Sequence, residues 1–192
     1  MLKTGGIASR FLLRYDARPY EIWGGSMDYQ AQLRTPLGML GIRCAEEALT
    51  GIEFLAPSAT PEQPRNDLAH IVCDQLAAYF ADPDFCFDIP LNLNGTVHRS
   101  KVWQAMRNIP RGQTRSYGDL AVQLHSSPRA VGQACGANPT PIIIPCHRVV
   151  SKSGTGGFMH QRDGNALNIK RWLLAHEFAT PSPSPLMGEG GR

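Results

Sequence analysis

Paired cysteines are missing from this chain of 192 residues. Its five cysteines are scattered along the sequence, as Cys44, Cys73, Cys86, Cys135 and Cys146. No CxxC motif occurs, so the spacing supports neither a zinc knuckle nor a disulfide framework and favours reduced thiols in a cytosolic protein. Long apolar runs are missing too, which excludes a membrane-spanning helix. The first residues have no sustained apolar core, and we therefore expect no signal peptide.

Acidic residues are scarce in the second half of the chain. Residues 1–95 carry 7 Lys/Arg and 12 Asp/Glu, whereas residues 96–192 carry 12 Lys/Arg and 4 Asp/Glu. Clustered positive charge is typical of proteins that bind nucleic acid, because it releases counterions from the polyanion. A chance excess of solvated basic side chains is the alternative explanation on charge alone.

Changes in periodicity and composition divide the chain into four segments. Residues 1–26 lack clear periodicity, and we expect either a poorly ordered extension or sequence upstream of a start at residue 27. Residues 27–95 predict a small α+β module, and residues 96–178 predict a mainly helical domain. Residues 179–192 are of low complexity and predict a disordered tail.

The α+β module is predicted from two different periodicities. Alternation in "YQAQLRT", "GMLGIRC" and "TGIEFL" indicates three short strands of an antiparallel meander. The stretch "DLAHIVCDQLAAYFAD" instead spaces its apolar residues as on one face of a helix, with Asn66 as a plausible N-cap. Ile71, Leu76 and Phe80 are among the side chains expected to point inward.

Two short helices in the second domain form a candidate helix-turn-helix. The first begins at Ser116 with Asp119 three residues later, as in a capping box, and the second begins with a serine followed by Pro128. In this second helix Arg129 and Gln133 are the long polar residues. Its small side chains are poorly suited to reading a major groove but would suit a minor groove, with Arg129 as a wedge. Tight packing against a neighbouring helix would explain the same composition.

The stretch "PIIIPCHRVV" places Cys146 directly before His147 and Arg148. A cysteine attacks as the thiolate, and the pKa of a free thiol is about 8.5, so a reactive cysteine needs a base, a cation or a helix N-terminus nearby. His147 and Arg148 supply the first two, and a carboxylate could orient the histidine. Adjacent side chains of a strand point to opposite faces, so a turn or a bridging water is required, and Pro145 favours a turn. A buried structural cysteine is the alternative.

The segments around Cys146 resemble the O6-alkylguanine-DNA alkyltransferase family, also called methylated-DNA–protein-cysteine methyltransferases. "PIIIPCHRVV", preceded by "GANP" and followed by "GGF" and "KRWLLAHE", is similar to the active-site segment of that family. "IPRGQTRSYGDLA" and "SSPRAVGQACGANP" resemble its helix-turn-helix, and "TPLGMLGIR", "LTGIEFL" and "FDIPLNLNGT" resemble its N-terminal module. The resemblance implies an α+β fold, with a ribonuclease-H-like module of a small antiparallel sheet and a helix, followed by a mostly helical, winged-helix-like domain that carries the cysteine.

The resemblance also implies the reaction, which is irreversible transfer of an alkyl group from O6-alkylguanine, and possible transfer from O4-alkylthymine, to Cys146. His147 would remove the thiol proton through a water, Glu177 would orient His147, and Asn138 would brace the turn before the cysteine. Because a thioether offers no easy leaving group, each molecule would act once.

The partner implied by the resemblance is double-stranded DNA that carries the damaged base, bound through its minor groove with the base turned out of the helix. Tyr117 would assist that rotation and Arg129 would enter the stack where the base left. The further DNA-binding residues implied are Gly118, Ala130, Gly132 and Lys152.

The substrate pocket implied by the resemblance contains Tyr117, Val149, Phe158 and Met159. We expect no metal, no other cofactor and no membrane partner, and we expect a cytoplasmic monomer. Met159 and His160 depart from the small residues that the family usually has in this loop. A bulkier loop would narrow the range of alkyl groups or weaken activity, and His160 itself is expected at the surface.

Two functions of other classes are alternatives. One is a non-enzymatic damage-recognition protein of the alkyltransferase-like type, in which the cysteine is replaced. The other is a cysteine hydrolase or thiol-redox enzyme unrelated to DNA, which would leave the charge asymmetry unexplained.

Overall fold

The computed structural model describes residues 29–161 and 164–178, and the predicted extension and tail lie outside these residues. In chain order the elements are β1 (Ala31–Thr35), β2 (Gly38–Cys44), β3 (Leu49–Phe54), α1 (Asp67–Ala81), α2 (Val97–Arg107), β4 (Arg115–Ser116), α3 (Tyr117–Gln123), α4 (Pro128–Gly136), a 3-10 turn (Cys146–Arg148), β5 (Val149–Val150) and α5 (Gly164–Phe178). Among these described elements, no helix combines the length and the apolar character that crossing a bilayer requires.

The first half forms a small antiparallel sheet covered by a helix, which confirms the predicted fold class. Strands β1, β2 and β3 pair in chain order, and Ile42 lies opposite Ile52 across the second pair. Helix α1 begins where predicted, because the side chain of Asn66 accepts a hydrogen bond from the backbone N–H of Ala69. The inward placement of Ile71 was wrong, since this side chain is 47% exposed.

In the second half, α2 and α3 pack against α4, and α5 packs against the 3-10 turn. The fully buried indole of Trp103, on α2, donates to the carbonyl of Ala134 on α4 at 2.8 Å. Helix α3 begins with the predicted capping box, in which Ser116 and Asp119 each accept the other's backbone N–H at 3.0 Å. Helix α4 begins after an N-cap serine, with Pro128 in its first turn. These local signals therefore place both helices of the predicted pair.

The two halves share one cluster of buried apolar side chains. The backbone N–H of Ile52 in β3 donates to Pro139, in the loop that leads to the 3-10 turn, at 2.8 Å. The segment between α1 and α2 is held against the same strand. The backbone N–H of Leu49 donates to the carbonyl of Pro90, and the N–H of Asn92 donates to the carbonyl of Leu49. The sheet of the first half thus supports the segment that carries the candidate nucleophile.

Candidate active site

The loop before Cys146 is closed by the side chain of Asn138. Its amide nitrogen donates to the carbonyl of Ile144 at 2.8 Å, and its amide oxygen accepts from the backbone N–H of Thr140 at 3.1 Å. Within this loop the buried Ile142 has a φ of 77°, a conformation that is costly for a β-branched residue. Using both ends of one buried amide compensates for the lack of regular structure in the loop, and so fixes where Cys146 lies.

Cys146 begins a 3-10 turn that follows Pro145, and the N–H of Arg148 closes it by donating to the Pro145 carbonyl at 3.0 Å. The cysteine therefore lies in a turn and not in a regular strand, as the expected chemistry requires. Only 4% of Cys146 is exposed, yet it lines a cleft of about 770 Å³.

Most of the residues expected to bind DNA or substrate line this same cleft. They come from the start of α3, from α4 and from the loop after β5, and are Tyr117, Gly118, Arg129, Gly132, Lys152, Phe158 and Met159. Two expected residues are placed elsewhere. Ala130 lies in α4 but is not part of the cleft wall, and the side chain of Val149 is fully buried in β5.

The carboxylate of Glu177 is buried and accepts four hydrogen bonds. Its Oε1 accepts from Nε2 of His147 at 2.7 Å, from the hydroxyl of Tyr79 at 2.9 Å and from Nη2 of Arg148 at 2.9 Å, while Oε2 accepts from Nε of Arg148 at 2.8 Å. Burial alone would raise the pKa of Glu177, but the hydrogen bonds and charges of His147 and Arg148 outweigh it and lower the pKa to about 2. Glu177 is therefore ionised at neutral pH.

The imidazole of His147 lies directly beside this carboxylate and is fully buried. Burial lowers the pKa of His147 in spite of the hydrogen bond and charge of Glu177, so the ring is neutral at pH 7. An ionised carboxylate can only accept, so Nε2 carries the ring proton and Nδ1 carries the lone pair. Among the described residues, Nδ1 has no hydrogen-bond partner. It is a basic atom on the residue next to the thiol.

The thiol of Cys146 is protonated at rest. Burial raises its pKa to about 11, although a hydrogen bond with Asn138, the charge of Lys170 and the backbone N–H groups of Cys146 and His147 act in the opposite direction. A thiolate must therefore be generated by proton loss to a nearby base.

Lys170 is a candidate functional residue that the sequence analysis missed. Its side chain is fully buried, and Nζ donates to the carbonyl of Val149 at 2.6 Å and to that of Gly157 at 2.9 Å. Burial lowers the pKa of Lys170 to about 8, while the nearby cysteines act to raise it. The signal that could have found it is helical spacing, because positions 170, 173 and 177 lie on one face of α5.

The loop after β5 closes around the ring of Tyr117. The Tyr117 hydroxyl donates to the carbonyl of Gly157 at 3.1 Å. Gly156 has a φ of 70°, and a Cβ at this position would lie 2.8 Å from the Tyr117 ring. Glycine is therefore required there both for the backbone conformation and for the close approach of the ring.

Met159 and His160, the two residues that differ from the small residues usual in the family, form a tight two-residue turn. Phe158 and Gln161 exchange backbone hydrogen bonds at 2.8 and 2.9 Å across it, and Met159 and His160 have φ values of 50° and 60°. The exposed His160 lines the cleft and lies over Gly136, where a Cβ would clash with Nδ1 of the imidazole. The small residue at the end of α4 thus accommodates the bulky turn.

Within the part of the chain that the structure describes, no group of three or more His, Cys, Asp and Glu residues is arranged to hold a metal ion. The chemistry that this site can perform with its own side chains is nucleophilic attack by sulfur, assisted by a histidine base that a carboxylate holds.

Two family models match most of the chain. The model described as "6-O-methylguanine DNA methyltransferase, ribonuclease-like domain" matches residues 29–93, and the model described as "6-O-methylguanine DNA methyltransferase, DNA binding domain" matches residues 98–179.

Curated relatives carry a matching name. The chain is 39% identical over 158 residues to the methylated-DNA–protein-cysteine methyltransferase of Mycobacterium tuberculosis, a match that covers 79% of this chain and 93% of that protein. The constitutive methylated-DNA–protein-cysteine methyltransferase of Bacillus subtilis is 38% identical over 161 residues, covering 77% of this chain and 94% of that protein.

Solved structures are similar as well. The crystal structure of the Mycobacterium tuberculosis O6-methylguanine methyltransferase matches with a TM-score of 0.67 and 37% identity, covering 80% of this chain and 94% of that chain. The crystal structure of Mycobacterium tuberculosis OGT in complex with DNA matches with a TM-score of 0.64 and 38% identity, covering 77% of this chain and 91% of that chain.

Proposed function

Because the chain belongs to the methylated-DNA–protein-cysteine methyltransferase family, we propose that it repairs O6-alkylguanine in double-stranded DNA by moving the alkyl group onto Cys146. The observation that carries this proposal is the position of Cys146: it lines the cleft while the next residue, His147, is hydrogen-bonded to the ionised Glu177. A nucleophile, its base and the group that orients the base are thus contiguous.

The proposed reaction begins with loss of the thiol proton to Nδ1 of His147, directly or through a water. The imidazolium that forms is stabilised by Glu177, which holds the Nε2 proton at 2.7 Å. The thiolate then attacks the alkyl carbon, so that the S–C bond forms as the C–O6 bond breaks. The electron pair of that bond stays on the guanine, which takes up a proton.

Cys146 is consumed in this reaction. The product is a thioether, which, unlike the thioester of a cysteine hydrolase, has no carbonyl carbon that water can attack to release the thiol. We therefore propose one transfer per molecule, with O4-alkylthymine as a further substrate.

We propose that the DNA contacts the cleft through its minor groove. Gly132 and its small neighbours on α4 would allow the backbone of that helix to approach the groove closely, and Arg129 lies at the cleft to fill the gap left by the flipped base. Tyr117 would assist rotation of the nucleotide, and the exposed Lys152 would contact phosphate. We further propose that the chain acts as a cytoplasmic monomer.

The test is incubation with duplex DNA that contains one O6-methylguanine, followed by mass spectrometry of the peptide that contains Cys146. We expect a gain of one methyl group on that peptide and repair of the base. The matched control is Cys146→Ser, which should bind the duplex without accepting the methyl group. An unmodified peptide, with the lesion bound and intact, would refute transfer and favour a damage-recognition protein. If Arg129→Ala changed neither DNA affinity nor transfer, the DNA-directed account would be wrong.

A further inference from the structure

The buried carboxylate of Glu177 is held by a residue from the other half of the protein. Tyr79, in the last turn of α1, is only 1% exposed, and its hydroxyl donates to Oε1 of Glu177 at 2.9 Å across 98 residues of sequence. The same oxygen accepts from Nε2 of His147 at 2.7 Å. Tyr79 and the candidate base therefore share one acceptor atom.

The backbone of Tyr79 is attached to the same helix. Its carbonyl is one of those that the end of α1 leaves without an intrahelical partner, and Nε2 of His176 donates to it at 2.9 Å. Consecutive residues of α5, His176 and Glu177, thus bind the carbonyl and the hydroxyl of one tyrosine. The Tyr79 ring packs against Phe87 and against His176, with ring centroids 5.3 Å apart in each case.

Arg111 makes a further connection between the halves. Its Nη1 donates to the backbone carbonyl of Glu177 at 3.0 Å, and its Nε forms an ion pair with Asp84, in the segment after α1. Tyr79 therefore binds the side chain of Glu177, and Asp84 pairs with the arginine that binds its backbone carbonyl. A tyrosine that only filled space would not need its hydroxyl at this oxygen.

We propose that Tyr79, supplied by the N-terminal module, is a positioning residue for alkyl transfer: by donating to Oε1 it fixes the Glu177 carboxylate and limits how strongly that carboxylate holds a proton on His147. This inference deepens the proposed function and rests on it.

The direction of the effect follows from the shared oxygen. When one donor is removed, more of the negative charge on Oε1 is available to the imidazolium, so His147 keeps its proton to a higher pH. The base must be neutral to accept the thiol proton, so the acid limb of the rate profile should move to higher pH. Burial and the carboxylate raise the pKa of Tyr79, which therefore remains a donor throughout the range.

Other titratable or charged groups face Glu177 and His147 and remain unchanged in the test. They come from the segment before β4, from the 3-10 turn and from α5, and are Arg111, Cys146, Arg148, Lys170 and His176. A shift in the profile of a Tyr79 variant is therefore attributed to the lost hydroxyl.

The first variant is Tyr79→Phe, assayed by single-turnover methyl transfer between pH 5 and pH 9. We expect the midpoint of the acid limb to rise by about one pH unit, which makes transfer about tenfold slower on that limb. The matched control is Tyr29→Phe, which removes a hydroxyl that donates to Glu53 at 2.6 Å, in the sheet of the same module. Its profile should coincide with that of the unmodified chain.

A second variant keeps the inference testable if Tyr79→Phe does not fold. Site-specific 3,5-difluorotyrosine at position 79 keeps the ring and makes the hydroxyl a stronger donor, so the midpoint should move to lower pH. An unchanged midpoint in both Tyr79 variants, or a fall in rate that is equal at every pH, would overturn the inference.

The same midpoints are measured as the rate at which iodoacetamide alkylates Cys146 in the absence of DNA, followed by mass spectrometry of the peptide that contains Cys146, because other thiols such as the exposed Cys86 also react. If the unmodified chain repairs no lesion, the proposed function fails, and the iodoacetamide profiles still test the coupling of Tyr79 to His147. If the chain repairs DNA but the Tyr79 variants show no shift by either measurement, only the further inference fails.

Discussion

Replacement of Glu177 by glutamine should destabilise the protein in a way that depends strongly on pH. The side chain keeps its shape but loses its charge, which leaves the partly buried guanidinium of Arg148 without its counterion. The pKa of Glu177 falls from its ordinary value of 4.5 to about 2, because the donors outweigh burial. At 1.36 kcal/mol per pKa unit, this corresponds to about 3 kcal/mol of stability. Mutations that remove one partner of a buried ion pair cost about 3–5 kcal/mol, and the value obtained from the pKa of Glu177 lies in that range.

The direction in which stability changes with pH follows from the lowered pKa of Glu177. A carboxylate whose pKa is depressed by folding contributes its full stability above its unfolded pKa, and loses it as the pH falls toward the folded value. The unmodified chain should therefore lose about 3 kcal/mol between pH 5 and pH 2 through this group. Glu177→Gln lacks the titration, so the difference between the two proteins should be largest at pH 7 and should shrink toward pH 2.

The assay is urea unfolding at pH 7 and at pH 3. In a chain of this size about 1 kcal/mol shifts the Tm by roughly 2–4 °C, so Glu177→Gln should also melt about 6–12 °C lower at pH 7. The control is Glu53→Gln, whose ion pair with Arg43 is partly exposed and should contribute less than about 1 kcal/mol. An equal loss of stability at both pH values, or a loss at pH 7 no larger than that of the control, would show that the charge of Glu177 does not stabilise the fold.

Two further substitutions test other contacts around the cleft. Lys170→Met removes a cation whose charge acts to lower the pKa of Cys146. We therefore expect iodoacetamide to alkylate the Cys146 thiol about tenfold more slowly at pH 7. An unchanged rate would exclude an electrostatic role for Lys170. Gly136→Ala should destabilise the chain by about 1 kcal/mol in urea unfolding, because its Cβ would meet the ring of the exposed His160, which must turn away. In a His160→Ala background, Gly136→Ala should be neutral or should stabilise the chain by up to about 1 kcal/mol, because alanine is a better helix former than glycine. If Gly136→Ala lowers the stability equally in both backgrounds, His160 is not the obstacle.

Local signals made much of the fold predictable. The capping box of Ser116 and Asp119 involves atoms three residues apart, so the sequence is enough to place the start of α3. Alternation likewise predicted the three strands, because side-chain direction in a strand depends on position alone. The exposure of Ile71 was not predictable in this way, since the width of the buried face depends on which elements pack against α1.

The candidate site was predictable in part. Cys146 and His147 are adjacent, so the sequence itself brings their chemistry together. Tyr79 and Lys170 were missed because their roles depend on contacts with distant segments: the tyrosine lies 98 residues from its acceptor, and the lysine bonds to two backbone carbonyls. No pattern local to either residue records such contacts, although the spacing of Lys170 from Glu177 places the two on one helix face.

The most direct test of the central claim is a titration of the chain with an excess of duplex DNA carrying isotopically labelled O6-methylguanine. We expect label to accumulate to one methyl group per chain, all of it on Cys146, after which repair stops. Continued repair beyond one lesion per chain, or label that reaches any residue other than Cys146, would contradict it.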